Sequence, residues 1–343
     1  MTVAEAVLAA MFVGLTAYVL FGGADFGAGV WDLLAGGTRR GRARRDLIEH
    51  SLAPVWEANH VWLIFVLVVL WTGFPPAFAA IASTLYIPLT LAALGMIARG
   101  SAFAFRKTVP SLPVQRLFGA AFAFSSFVTP FFLGAVVGGI ASGRVPPGIA
   151  AGDVVTSWLN PTSVLAGVLA IGVCAYLAAV LLCADAHREV SAELADHFRA
   201  RGLITAVVVG LVALGGVLLL RSDAPELFHG LTHRGLPLII VSAVAGLTSM
   251  VLLIRRRYGW ARIAAAIAVV AVLWGWAAAQ YPYIQPPAVT IADAAASRTT
   301  QITMLVSLLI GTMLLAPALV YLYVLFQRSH EPAAKPAAPR HRR

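Results

Sequence analysis

The 343-residue chain is 60% hydrophobic and 12% charged, with a formal net charge of +10. A soluble globular protein averages about 45–50% apolar and about 25% charged residues, so this composition excludes one. With only two cysteines, the chain is not a disulfide-rich scaffold either. The apolar residues occur in blocks of about twenty, the length that crosses a lipid bilayer. The sequence therefore predicts an all-α polytopic membrane protein.

Nine apolar runs predict nine transmembrane helices. In chain order they cover residues 6–24, 55–73, 77–98, 117–140, 161–183, 203–220, 236–254, 259–279 and 302–326. Glu5 stands where a signal peptide has its basic region, and no clear small-residue cleavage site follows. We therefore expect the first run to be retained.

The basic residues predict how these helices are oriented. All but four of the 25 lysine and arginine residues fall in the loops and helix edges after the odd-numbered helices or in the C-terminal tail; the four are Arg144, Arg221, Arg234 and Arg298. Cytoplasmic loops carry the excess of Lys and Arg, so the N-terminus is predicted outside and the C-terminus in the cytoplasm. The basic charge then reflects topology and contact with anionic lipid headgroups, and a nucleic-acid partner is excluded.

The loops are too short for a soluble domain, so residues 1–328 are predicted to form a single transmembrane domain. Residues 329–343, rich in Ala, Pro and Arg, predict a disordered basic cytoplasmic tail. Residues 14–18 and 172–176 share a Gly-x-x-Ala-Tyr pattern, and both helices end in Ala-Asp. This weak repeat is compatible with duplicated halves, about 1–140 and 161–279, followed by the last helix, 302–326.

Ligands for a metal or a haem are scarce in the predicted spans. Of the eight histidines, only His60 belongs to a span, near its edge, and haem iron in a helical bundle needs axial ligands well inside the membrane. Metal-binding spacings of Cys and His are missing. Cys174 and Cys183 lie nine residues apart, about 13 Å along a helix, too far for a disulfide. We expect no haem or metal to be ligated by this chain alone.

Asp25 is the first candidate functional residue. An ionisable side chain in the hydrocarbon region costs about 2.5–3.5 kcal/mol, so its presence suggests a role. Gly23 and Gly27 flank it four residues apart, a spacing that lets another helix backbone approach closely. The alternative is an acid near a helix end that reaches the water of the headgroup region.

Glu57, Asn59 and His60 form a second polar group at the start of the second predicted helix. Glu57 and His60 are three residues apart and share one helical face, so they could pass protons along, because His titrates near neutrality. The alternative for Glu57 is a favourable interaction with the helix dipole. Trp56 and Trp62 are expected to be interfacial anchors.

Arg99 lies at the cytoplasmic end of the third predicted helix, shortly before Arg106. One interpretation is orientation and headgroup contact. The other is a functional ion pair with Asp25 or Glu57, and the sequence leaves both open.

Several ordered segments resemble subunit II of the cytochrome bd-type quinol oxidases. They are Gly23-Ala-Asp25-Phe-Gly27 with Trp31-Asp32, then 54–64 (PVWEANHVWLI), 99–106 (RGSAFAFR), 126–134, 159–167 and 293–301. The resemblance implies nine helices in two four-helix bundles plus one peripheral helix. It also implies a subunit of a respiratory terminal oxidase that oxidises quinol and reduces O2 to water in the bacterial cytoplasmic membrane.

In that family, haem b and haem d lie in the partner, subunit I, and subunit II supports assembly and proton delivery from the cytoplasm. Asp25 and Glu57 match positions of the proton path, to which His60 is a candidate addition. A third position, usually acidic, is Ala104 here, so water or His60 must substitute or the path differs. Small accessory subunits and a structural quinone are further expectations from the resemblance.

Two other hypotheses are open at this point. A secondary transporter or a proton or ion channel would also be a polytopic helical protein, although transporters carry polar sites near the midplane that this sequence lacks. A purely structural assembly subunit would differ only in the roles of Asp25 and Glu57.

Overall fold

The computed structural model describes residues 1–36, 41–52, 56–105, 112–188 and 191–328. Within these ranges the protein is almost entirely α-helical, with one π-helical turn and one two-stranded antiparallel hairpin. The predicted tail, 329–343, lies outside the described residues. The predicted all-α fold class is confirmed by these elements.

The N-terminal half begins with a capped helix: the side chain of Thr2 accepts from the backbone N–H of Glu5, and the Glu5 carboxylate accepts from the backbone N–H of Thr2. This reciprocal pair satisfies two of the free N–H groups at the helix start. The elements are α1 Val3–Ala17, a π-helical turn Tyr18–Gly22, α2 Gly23–Leu33, α3 Arg42–Leu52, α4 Trp56–Gly73, α5 Pro75–Thr84, α6 Tyr86–Phe105 and α7 Leu112–Ala141.

In the C-terminal half, prolines stand in the first turn of α8, α10 and α11, where the missing N–H costs nothing. The elements are α8 Pro161–Arg188, α9 Ala192–Asp223, α10 Pro225–Thr232, α11 Leu236–Ile254, α12 Tyr258–Gln280, β1 Tyr283–Gln285, β2 Val289–Thr290 and α13 Arg298–Arg328. The two strands form a small antiparallel hairpin in the loop after α12.

Seven helical segments of the described chain are long and apolar enough to cross a membrane, and α4 with α5 would make an eighth if the bent pair counts as one span. The first segment, Val3–Leu33, runs through α1, the π turn and α2 as 31 residues. The protein is thus a polytopic helical membrane protein.

The third predicted span, 77–98, differs from the structure, because two helices share it. α5 begins at Pro75 and is bent by 120° from α4. α5 ends at Thr84, Leu85 leaves the helical conformation, and α6 starts at Tyr86. A hydrophobic run does not reveal such a break, because both helices are apolar.

The chain forms two compact units, residues 1–296 and 297–343. In the first, α8 is central: α2, α7, α9 and α12 all pack against it. Its contact surface consists largely of small buried residues, among them Ala178, Ala179 and Ala186. Small residues let helix backbones approach closely, which is how helices associate in lipid. The second unit contains α13, a single long helix.

Candidate functional site

The first membrane segment contains a π-helical turn, Tyr18–Gly22, directly before α2, whose first turn carries Asp25. π turns are uncommon and occur often at functional sites. The buried side chain of Asn59 on α4 donates from Nδ2 to the carbonyl oxygen of Phe21 in this turn, at 3.3 Å. The turn therefore connects the first segment to α4 by a polar contact inside the protein.

Asp25 and Arg99 form a buried ion pair between α2 and α6. The Nη2 of Arg99 lies 2.7 Å from Oδ1 of Asp25, and its Nε lies 3.3 Å from Oδ2. Nη2 also donates to the backbone carbonyl of Asp25 at 2.7 Å. Of the two interpretations that the sequence leaves open for Arg99, the structure places it with Asp25.

A third helix completes the surroundings of the guanidinium. Nη1 of Arg99 donates to Oγ of Ser126 on α7, and Ser126 in turn donates to the carbonyl oxygen of Phe122 at 2.7 Å. The central carbon of the guanidinium lies 4.1 Å from the ring centre of Phe122 and 5.2 Å from that of Phe26. Aromatic faces attract a cation, more strongly where water is excluded. The charge of Arg99 is thus balanced by one carboxylate and two rings.

Two glycines of α2 make this arrangement sterically feasible. A Cβ on Gly27 would collide with the backbone carbonyl of Cys174 on α8, and a Cβ on Gly29 would collide with Oγ of Ser126 and crowd Arg99. A Cβ on Gly23 would make only ordinary contacts. Gly27 therefore permits the close approach of α2 to α8, and Gly29 makes room for the guanidinium.

The second polar group of the sequence is only partly described. Trp56 and Glu57 open α4, but their side chains lie outside the described residues. His60 follows on the same helix, half-buried. Trp62 packs against the cluster of Tyr18, Phe26 and Cys174, so much of its ring contacts the protein interior. The relation between Glu57 and His60 stays a prediction.

Ser126 and Gly29 are parts of the site that the residue-by-residue reading of the sequence did not single out. Ser125 and Ser126 interrupt the apolar run of α7, and both are buried. A pair of hydroxyls inside a membrane helix is a signal that could have indicated a polar partner nearby. For Gly29 no local signal exists, because its role depends on a side chain 70 residues away.

At the other end of the helices a second ion pair joins three elements. Nη2 of Arg144, just after α7, lies 2.7 Å from Oδ1 of Asp223 at the end of α9. Oδ2 of Asp223 accepts from the backbone N–H and the hydroxyl of Thr162 on α8, at 3.0 and 2.6 Å. The ion pair and its hydrogen bonds therefore connect the end of α9 to the start of α8 and to the residue just after α7.

In the described ranges no group of three or more His, Cys, Asp or Glu side chains could hold a metal ion. The hydrogen-bonded polar side chains described around Asp25 are its own carboxylate, the guanidinium of Arg99 and the hydroxyl of Ser126. The chemistry of this site is charge balance and hydrogen bonding.

Comparison with known proteins identifies the family. Residues 3–326 match the family described as cytochrome bd terminal oxidase subunit II. The chain belongs to that family. Because the match spans almost the whole chain, it covers both described units.

Two relatives and one solved structure agree with this membership. The cytochrome bd ubiquinol oxidase subunit 2 of Bacillus subtilis is 24% identical over 74% of this chain and 72% of its own length. The cytochrome bd-I ubiquinol oxidase subunit 2 of Escherichia coli K12 is 28% identical over 58% of this chain and 51% of its own. The bd oxidase structure from Geobacillus thermodenitrificans aligns with a TM-score of 0.74 and 25% identity, covering 95% of this chain and 99% of that one.

As a cytochrome bd subunit II, the protein is one component of an oxidoreductase complex that contains a subunit I. It is an integral bacterial membrane protein, as its apolar helices require.

Proposed function

We propose that this chain is the haem-free subunit of a quinol:O2 oxidoreductase of the respiratory chain and pairs with a haem-bearing subunit I. The observation that carries this proposal is the family match over residues 3–326, supported by relatives whose names specify ubiquinol oxidases. Haem b and haem d belong to subunit I in this proposal, and they supply the oxygen chemistry there. This chain supports assembly and the delivery of cytoplasmic protons.

We propose nine membrane spans: the seven segments already identified, together with α4 and α6 as one span each. α6 has 20 residues, about 30 Å of helix, which matches the hydrocarbon thickness. The excess of basic residues in alternate loops favours an outside N-terminus, a cytoplasmic C-terminus and the bacterial cytoplasmic membrane. α2 packs on α8, and these two helices carry the Ala-Asp ends of the two repeated segments. This packing is compatible with two four-helix bundles plus the last helix. The accessory subunits, lipids and structural quinone that the resemblance implies are not assigned to particular residues.

For proton delivery we propose that Glu57 and His60 accept protons at the cytoplasmic end of α4 and that Asp25 acts through its ion pair. Both oxygens of Asp25 accept from Arg99, so the ion pair fixes the position of this carboxylate. A fixed charge pair next to a path orients water and side-chain dipoles without being consumed. Ala104 at the end of α6 supplies no protonatable group. Proton transfer in this proposal therefore depends more heavily on Glu57 and His60.

The test is Glu57→Gln in the purified two-subunit oxidase. The amide cannot carry a proton, and positioned proton-transfer groups contribute about 10²–10⁴-fold, so we expect quinol-driven oxygen consumption to fall by about tenfold or more with haem content intact. Glu193→Gln, an exposed acid in the first turn of α9, is the matched control and should leave turnover unchanged.

Each outcome has a defined meaning. Wild-type turnover in Glu57→Gln would exclude the relay role. Wild-type preparations in mild detergent should contain a second membrane subunit and show haem bands in a reduced-minus-oxidised spectrum. A colourless single chain, from cells that express the partner, would contradict the oxidase assignment and favour a transporter or channel.

A second candidate, an assembly subunit without a proton role, is favoured by one observation. The Asp25–Arg99 pair ties α2 to α6 and α7 through contacts that are complete within the chain. If loss of Asp25 removed haem-loaded complex from the membrane while Glu57→Gln had normal turnover, the assembly role would be the better description.

A further inference from the structure

Three cationic or donor side chains from two helices lie near the end of α2. They are Arg44 on α3 and His197 and Arg201 on α9, and we call them the arginine cluster. All three side chains are half-buried. The ion pair and the acids of the proton path described above do not involve them.

Arg201 and His197 are held in a defined arrangement. Nη1 of Arg201 lies 2.9 Å from Nδ1 of His197. Because a guanidinium can only donate, Nδ1 accepts and the proton of a neutral imidazole lies on Nε2, which is left as a donor. The guanidinium also lies 5.8 Å from the ring centre of Trp31 on α2, whose Nε1 donates to the carbonyl of Ala175 at 2.8 Å. The tryptophan therefore supports Arg201 from a fixed position.

Arg44 is held at the same end of α2 by a backbone contact. Its Nη1 donates to the carbonyl oxygen of Ala35, just after α2, at 2.9 Å. Ala35 lies four residues after Trp31, so Arg44 and Arg201 are both anchored at the same end of α2. Contacts with the backbone and with His197 hold the two guanidiniums in place.

Two carboxylates near the arginine cluster pair with other arginines. Asp32 lies 3.5 Å from Arg45, and Asp196 lies 3.3 Å from Arg199 and 3.2 Å from Arg256. Within the described part of the chain, neither Arg44 nor Arg201 has a carboxylate within 4.0 Å. Two like charges partly removed from water are unfavourable unless an anion lies between them.

We propose that the arginine cluster binds a phosphate group, either in the headgroup of an anionic phospholipid or as free inorganic phosphate. The planar fork of a guanidinium matches two phosphate oxygens, and the Nε2–H of His197 adds a third donor. The proposal does not depend on the proton path. A lipid source would use the cytoplasmic leaflet, in keeping with the proposed orientation, and there anionic lipid concentrates.

The experiment uses the whole purified oxidase, stripped of lipid in neutral detergent, with its thermal midpoint as readout. One arm titrates phosphatidylglycerol against phosphatidylcholine, and the other titrates inorganic phosphate at constant ionic strength. The variants are Arg201→Gln and Arg44→Gln. The control is Arg255→Gln, an exposed arginine at the end of α11 whose neighbour Arg256 contacts α9.

We expect both ligands to stabilise the wild type and Arg255→Gln. In Arg201→Gln the half-saturating concentration should rise at least about tenfold, because a charged hydrogen-bond donor to the phosphate is lost. A response to phosphatidylglycerol alone assigns the site to a headgroup, and one to inorganic phosphate alone or to both assigns it to the phosphate group itself. Equal responses in the wild type and Arg201→Gln, or no response in either arm, would overturn the proposal. If Arg44→Gln does not assemble, Arg201→Lys, which keeps the charge but not the fork, tests the same point with an intermediate shift expected.

Discussion

The two interhelical ion pairs, Asp25–Arg99 and Asp223–Arg144, have similar geometry and different surroundings. Each has one nitrogen–oxygen distance of 2.7 Å. The side chains of Arg99 and Asp25 are 4% and 5% exposed, and those of Arg144 and Asp223 are 31% and 15% exposed. If one partner is lost, water can solvate the remaining charge of the Asp223–Arg144 pair but hardly that of the Asp25–Arg99 pair. Loss of one partner is therefore expected to destabilise the protein much more at the buried Asp25–Arg99 pair than at the Asp223–Arg144 pair at the helix ends.

The largest effect is expected from Asp25→Asn, which leaves the guanidinium of Arg99 buried without a counter-charge. Breaking a buried pair by removing one partner costs about 3–5 kcal/mol. We expect a lower thermal midpoint of the oxidase and a lower yield of haem-loaded complex, both measurable in purified membranes. The double variant Asp25→Asn with Arg99→Gln removes both charges and should recover part of the loss. A single variant as stable as the wild type would remove the distinction between the two pairs.

An intermediate effect is expected from Gly27→Ala. The added methyl group would collide with the carbonyl of Cys174, so α2 must move away from α8, and overpacking of this kind costs about 1–3 kcal/mol. Gly23→Ala, four residues earlier on the same helix, meets only ordinary contacts and is the matched control. Thermal midpoints of the two complexes measure the difference. Equal midpoints would mean that the approach of α2 to α8 is less tight than the structure has it.

The smallest effect is expected from Asp223→Asn. The partly exposed Arg144 keeps access to water, and Thr162 can still donate to the amide oxygen, so we expect a loss of about 1 kcal/mol or less. Oxygen consumption should stay at the wild-type rate, because this pair lies at the other end of the helices from Glu57. A clear fall in oxygen consumption per haem would show that the Arg144–Asp223 pair takes part in function.

Much of the fold could be predicted from local properties of the chain. The run 236–254 coincides with α11, and the predicted start at residue 161 and end at residue 73 coincide with the ends of α8 and α4. Prolines and glycines mark these ends, and their effects on the backbone need no distant partner. The break at Leu85 was not predictable in this way, because its neighbours on both sides are equally apolar.

The sequence could predict which charged residues belong to the candidate site, but not which of them form the ion pair. Asp25 and Arg99 stand out because charges are rare in membrane helices, but Glu57 was an equal candidate for Arg99. The pair is separated by 74 positions, and Ser126 comes from a third helix. Which groups meet depends on how α2, α6 and α7 are rotated against one another.

The sequence alone determined that this is a helical membrane protein, how its basic residues are distributed along the chain and which family its motifs resemble. These are properties of hydrophobicity, charge and residue order, which act locally or along the chain. The tertiary structure decided that Arg99 pairs with Asp25, that Gly29 makes room for the pair, and that Arg44 and Arg201 are both held at the same end of α2. These outcomes depend on close packing between helices, where a single methyl group or one helical rotation changes which side chains can touch.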